Sequence, residues 1–118
     1  MSLTWKLEDQ PDHLVVRAEG DWHLQGVFRM LDEIAGRCRD KGYGRVLVDA
    51  RNVHGPLAEM TRYAAGARVA EVLRGVKVAV LANPATVITG FGVRVAENRG
   101  GQMLATKSED EARQWLFA

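Results

Sequence analysis

The opening Leu3-Thr4-Trp5-Lys6-Leu7-Glu8 alternates apolar and polar residues, the period of an extended strand with one face on a core. After the turn-forming Asp9-Gln10-Pro11-Asp12, a second run from His13 to Glu19 is rich enough in Leu and Val to return as its partner, so a β-hairpin is predicted. Beyond Gly20 and Asp21 the period changes. Leu24, Val27, Phe28, Leu31, Ile34, Ala35 and Cys38 recur at the spacing of one helix face, and the helix is expected to stop near Lys41-Gly42. Arg45-Val46-Leu47-Val48-Asp49-Ala50 is a short apolar run with charged ends, the pattern of a strand buried on both faces. A polar loop is expected over Arg51 to Gly55.

Pro56 suits the first position of a helix, because its fixed φ matches and its missing N–H has no partner there. That helix is predicted to run through Met60, Tyr63, Ala64, Ala67, Ala70 and Leu73. The small residues Ala64 to Ala67 allow close approach to the sheet or to another subunit, and Val69 and Val72 widen the apolar surface beyond one stripe, which points to a partner. Val76 to Ala82 predicts a second buried strand, ended by Asn83-Pro84. A third helical segment is expected over Ala85 to Arg99, although Gly90 and Gly92 each cost roughly 1 kcal/mol in a helix interior. Asn98-Arg99-Gly100-Gly101 is a helix stop, Met103 to Thr106 a last strand, and Ser108 with Glu111 a capping box opening a final helix with Ala112, Trp115 and Leu116 inward. The order predicts an α/β fold, an N-terminal β-hairpin followed by alternating helices and parallel strands in a mixed sheet of four to five strands, with right-handed crossovers.

Length and composition narrow the class. At 118 residues the chain fits one domain, 1–118, able to bury a core without disulfides or a structural metal. A hydrophobic fraction of 47% with 26% charged residues is that of a globular protein. The formal net charge is +1 and the arginines are scattered, so the clustered cations that bind nucleic acid are missing. The longest apolar run, Val76 to Ala82, includes Lys77 and falls far short of the roughly 20 residues of a membrane span. Cys38 has no partner for an internal disulfide and the start MSLTWKLEDQ lacks a secretory pattern, so a reducing, cytoplasmic setting is expected.

The search for chemistry yields little. The serines, Ser2 at the terminus and Ser108 at a helix start, are not plausible nucleophiles, and Cys38 sits on a predicted core stripe rather than in the exposed, electropositive surroundings of a reactive thiolate. His13, His23 and His54 match no zinc spacing; His13 and His23 are expected in surface or capping roles. Gly90-Phe91-Gly92 is an incomplete dinucleotide fingerprint inside a helical segment, and no phosphate-binding Gly-Lys-Ser or Gly-Lys-Thr occurs. No metal or cofactor is expected. Trp5, Trp22 and Trp115 read as packing residues. In open α/β sheets ligands gather beyond the carboxyl ends of the strands, which here carry Asp49, Arg51, Asn52 and His54, then Asn83 and Thr86, then Thr106 and Lys107. These supply an ion pair and helix caps on one reading. On the other, Arg51, His54, Arg62, Asn83 and Thr86 form a ligand site, with the cations gripping an anion.

Ala96-Glu97-Asn98-Arg99-Gly100-Gly101, followed by a short strand and Ser108-Glu109-Asp110-Glu111-Ala112-Arg113-Gln114-Trp115-Leu116, resembles the closing signature of the SpoIIAA-like proteins. These are a STAS-type group related in fold to the anti-anti-sigma factors and, more distantly, to the Sec14-like lipid-binding domains. The resemblance implies a sheet flanked by helices and a role in binding or regulation, with no established enzyme activity. Anti-anti-sigma factors carry a phosphorylated serine at the start of the helix after the central strand, and Asp49 to Ala58 has none here. Thr61 is expected one turn inside that helix, where its hydroxyl is poorly presented to a kinase. The leading reading is a non-enzymatic regulatory module that binds a protein partner, most simply itself as a homodimer, with room for a small apolar or anionic ligand. The rival is a ligand or lipid carrier with its pocket between the Pro56 helix and Thr86 to Val95. An enzyme using Asp49, Arg51 and His54 is the weakest of the three.

Overall fold

The computed structural model describes residues 2–55, 58–83, 97 and 99–118. The expected helix over Ala85 to Arg99, Pro56 as its predecessor's opening residue, and Thr86 all lie outside them or at their margin. Strands β1 (Leu3–Asp9) and β2 (Leu14–Asp21) form the predicted hairpin, followed by α1 (Leu24–Lys41), β3 (Arg45–His54), α2 (Glu59–Val72), β4 (Lys77–Ala82), β5 (Gln102–Thr106) and α3 (Glu109–Leu116). The five-stranded sheet has the order β1-β2-β3-β4-β5. Only β1 and β2 run antiparallel; β2 to β5 are parallel. Val46, Leu47 and Val48 lie beside Val78, Ala79 and Val80, so the two apolar runs are neighbours at the heart of the sheet.

Alternation along the strands divides the core in two. On one face Leu14, Val16 and Ala18 of β2, Val46, Val48 and Ala50 of β3 and Val78 of β4 pack against α1 and α2. On the other, Leu47, Ala79 and Leu81 receive Ala112, Leu116 and the half-buried Trp115 of α3. The α1 stripe is Val27, Met30, Leu31, Ile34, Ala35 and Cys38. Leu24, expected on it, is exposed, and Phe28 is only half-buried. The helix stops as anticipated: Gly42 adopts the left-handed conformation at φ 73°, and its N–H donates to the Cys38 carbonyl at 2.8 Å.

Two further expectations are corrected. Arg51 to His54 is not a loop but the second half of β3, because Glu19, Gly20 and Asp21 of the long β2 continue to pair with Asn52, Val53 and His54. The register slips between Arg17 and Glu19, and this bulge returns Val53 to the α1 side with no exposure. A polar sequence therefore hides a strand whose apolar alternation is broken once. In α2, the described helix begins at Glu59 after Ala58, three residues beyond Pro56. Its buried face is Gly66, Val69, Ala70 and the terminal Leu73, while Met60 is 76% and Tyr63 39% exposed. Val69 and Val72 meet the same core as α1, so the breadth that pointed to a partner is absorbed inside the fold. Arg68 ties the helices together with paired hydrogen bonds to Asp32 and a guanidinium 5.2 Å from the Phe28 ring centre.

His13 also departs from expectation. It is 8% exposed, its Nδ1 is 2.7 Å from Asp12, and Phe117 packs edge-on against it at 5.3 Å. Arg45 lies over the same Phe117 ring and donates to the Leu116 carbonyl, while Lys77 donates to that of Trp115. Cations from the starts of β3 and β4 thus satisfy the last carbonyls of α3. At its other end Ser108 Oγ accepts from the Glu111 N–H at 3.2 Å. Instead of completing a capping box with Glu111, the Ser108 N–H donates to Thr106 Oγ1.

Candidate functional site

The carboxyl ends of β3 and β4 bring His54 and Asn83 together, with Asn83 Nδ2 3.2 Å from His54 Nδ1. The parallel register explains the meeting: Asp49 and Ala50 stand beside Leu81 and Ala82, so the chains leaving the two strands are adjacent. The Trp22 N–H donates to the His54 carbonyl at 3.2 Å. Among the described residues the buried Trp22 indole Nε1 has no hydrogen-bond partner, an uncommon state for such a donor.

Arg51 is held elsewhere. Its Nε and Nη2 donate to the two oxygens of Asp49 at 2.9 and 2.7 Å, and Nη2 also lies 3.4 Å from Glu109. The bidentate pair holds the Asp49 carboxyl below its ordinary range, with the Arg51 backbone N–H and the charge of Arg17 adding to the effect. The same partnership raises the Arg51 pKa. The pair belongs to a row of alternating charge, Glu8, Arg17, Asp49, Arg51, Glu109 and Arg113, with adjacent members 2.7–3.4 Å apart. The row crosses the sheet from β1 to α3 on the face that α3 covers only in part.

The remaining candidates separate. Thr106 is 8% exposed and its hydroxyl accepts from Ser108, a capping role. Asn52 and Lys107 are exposed. Arg62 is half-buried in the first turn of α2, its N–H donating to the Ala58 carbonyl. Thr61 sits in that turn too, half-buried at the third helical position rather than a full turn inside. Thr86 lies outside the described residues. His23 caps α1, its Nδ1 accepting from the Gly26 N–H at 3.1 Å. Burial pushes the Cys38 thiol up to about 11, which leaves it protonated and unreactive at neutral pH.

Sequence reading missed two features. One is the α2 ridge of Met60 and Tyr63, where Arg99 stacks 5.6 Å from the Tyr63 ring centre and donates to its hydroxyl at 2.7 Å. The three-residue spacing of Met60 and Tyr63 was visible only as part of a broad apolar helix from Leu57 to Leu73, without singling out these two side chains as the exposed part. The other is Glu109, whose role in the charge row depends on a contact 58 residues distant in sequence from Arg51. Among the described residues no cluster of His, Cys, Asp and Glu could hold a metal ion, and no helix is long and apolar enough to cross a membrane.

No family model and no curated protein matches the chain. Solved structures do match. An anti-sigma factor antagonist from Mycobacterium paratuberculosis is 16% identical, covering 99% of this chain and 96% of its own, with a TM-score of 0.58. A serine-to-glutamate variant of RsbS from Moorella thermoacetica is 17% identical over 96% and 94%, at 0.56. An uncharacterised protein of the DUF3478 family with a SpoIIAA-like fold, from Shewanella loihica, is 17% identical over 98% and 93%, at 0.54. The chain has the SpoIIAA-like, STAS-type α/β fold.

Proposed function

We propose that this chain is a non-enzymatic regulatory module that acts through protein–protein contacts, both with a partner protein and with a second copy of itself, in the cytoplasm. The observation that carries the reading is the exposed α2 ridge, with Met60 76% and Tyr63 39% exposed, on a fold shared with an anti-sigma factor antagonist. An unbranched thioether beside an aromatic ring that carries its own guanidinium offers an adaptable apolar contact with a polar rim. Asp49 and Thr106 at the strand ends are engaged within the fold, the first by Arg51 and the second in capping α3, and Cys38 of α1 is a protonated core thiol, which supports binding over catalysis. Asp49 to Ala58 holds neither serine nor threonine, so this module is not switched by phosphorylation of a hydroxyl in that turn.

The test is Met60→Asp. Wild type and variant are isolated from the native host, the co-purifying protein is identified, and its dissociation constant is measured by calorimetry against each. The reading expects binding at least about tenfold weaker for the variant at an unchanged melting temperature. Equal affinity for both, or no stoichiometric protein partner, overturns it.

A further inference from the structure

We infer that β1 is a self-pairing edge, along which two copies of this chain join their sheets antiparallel; the inference rests on the self-association part of the proposed function. β1 closes one side of the sheet, so every second N–H and C=O along Leu3–Asp9 points away from β2, an arrangement that templates pairing with another strand. Trp5 and Leu7 pack on the core yet stay only half-buried, with the Trp5 indole N–H donating to Glu33 of α1 at 2.9 Å. On the opposite face the strand carries Thr4, Lys6 and Glu8. Glu8 is the last member of the charge row, bonded to Arg17 at 2.8 Å. Lys6, next to it on that face, is exposed and has no ion pair or hydrogen bond among the described residues. The row therefore ends at the sheet edge in an acidic group flanked by an unpaired cation.

A two-fold axis perpendicular to the sheet keeps each face continuous, so residues placed opposite each other must share a face. With the axis at Leu7, Lys6 of each copy stands opposite Glu8 of the other and Leu7 opposite Leu7. Trp5 then stands opposite Asp9, whose carboxylate is turned to Arg37 and Tyr43, and diagonal to Leu7. With the axis at Lys6, two ammonium groups face one another, which is unfavourable. Charge complementarity selects the Leu7 register and names the occupant as a second copy. In that register the charges Arg17, Glu8 and Lys6 of the second copy alternate in sign, and the row runs on across the junction. One strand edge buries less than a standard interface, so the dimer is reversible and concentration-dependent.

Sedimentation equilibrium on the full chain, from about 10 µM to about 1 mM, spans the range in which such small interfaces dissociate. Wild type is expected to dimerise within it. Lys6→Glu alone and Glu8→Lys alone each place two like-charge pairs across the axis and weaken dimerisation about tenfold. An equimolar mixture of the two variants sets acidic strands against basic ones and restores wild-type affinity as a heterodimer. Should Glu8→Lys fail to fold beside Arg17, the series wild type, Lys6→Gln and Lys6→Glu decides, with affinity falling in that order. Wild type that stays monomeric throughout, singles that dimerise as tightly as wild type, or a mixture without heterodimer each overturns the edge. A dimer untouched by these changes but lost in Met60→Asp places self-association on α2, overturning the edge while leaving the proposed function standing.

Discussion

Truncating Leu116 to alanine probes the layer that α3 supplies. Leu116 is fully buried against Leu47, Ala79, Leu81 and Ala112, so the change removes buried methyl groups and leaves a void that the sheet side cannot close, since Leu47 and Leu81 are fixed in central strands. Leu→Ala at such sites costs 2–5 kcal/mol. The position is the last residue of the helix, where the chain can shift inward, and about 3 kcal/mol is the expected figure. For a chain of this length the unfolding entropy near 60 °C is roughly 0.25 kcal/mol/K, from about 2.1 cal/mol/K per residue, so the melting temperature should fall by about 12 °C. Phe117→Ala is the internal control: its ring is 40% exposed and meets His13 and Arg45, so it should cost less than half as much. Urea denaturation with an unchanged slope and a shifted midpoint gives both values on one scale. A loss below about 1 kcal/mol for Leu116→Ala, or equal losses for the two, refutes the docking of α3 on the sheet.

Other consequences are as specific. Gly20→Ala is expected to destabilise by at least about 2 kcal/mol, because Gly20 adopts φ 114° and an added methyl group would run into the Ser2 carbonyl oxygen, a backbone atom that bonds the Asp21 N–H; a thermal melt within 2 °C of wild type contradicts the hairpin geometry. Asp49 has its pKa lowered by Arg51 in the folded chain, so its contribution is present above the unfolded carboxyl pKa near 4 and is lost as pH falls through the lower folded value. Melting temperature followed from pH 7 to pH 2 should drop less in Asp49→Asn than in wild type. Cys38, with its thiol at about 11, should react with a chromogenic disulfide reagent at pH 8 only as fast as the chain unfolds, and rapid stoichiometric labelling of native protein would show it is not buried.

The fold was legible where one periodicity ruled a whole element. Val46-Leu47-Val48 and Val78-Ala79-Val80 announced central strands because both faces of the sheet are covered there, and Val27 to Cys38 announced α1 because one stripe meets one face. Legibility failed where tertiary context overrode the local signal. Arg51 to His54 is polar in sequence, yet β2 is long enough to draw it into the sheet, and a bulge disguises the alternation. Met60 and Tyr63 keep helical spacing with the core residues of α2 but lie before the point where that helix meets α1 and the sheet. His13 looked like a surface or capping residue because its cover, Phe117, comes from the far end of the chain. Of the candidate site, the Asp49–Arg51 pair was readable from its i, i+2 spacing, whereas His54 with Asn83 required the parallel register of β3 and β4.

The claim that this chain works by binding protein meets its most direct test in native mass spectrometry of the protein isolated from its own cells without denaturation. A complex with another protein chain or with a second copy, free of small molecules, is the predicted spectrum. A monomer, whether bare or holding a stoichiometric lipid or anion, would contradict it.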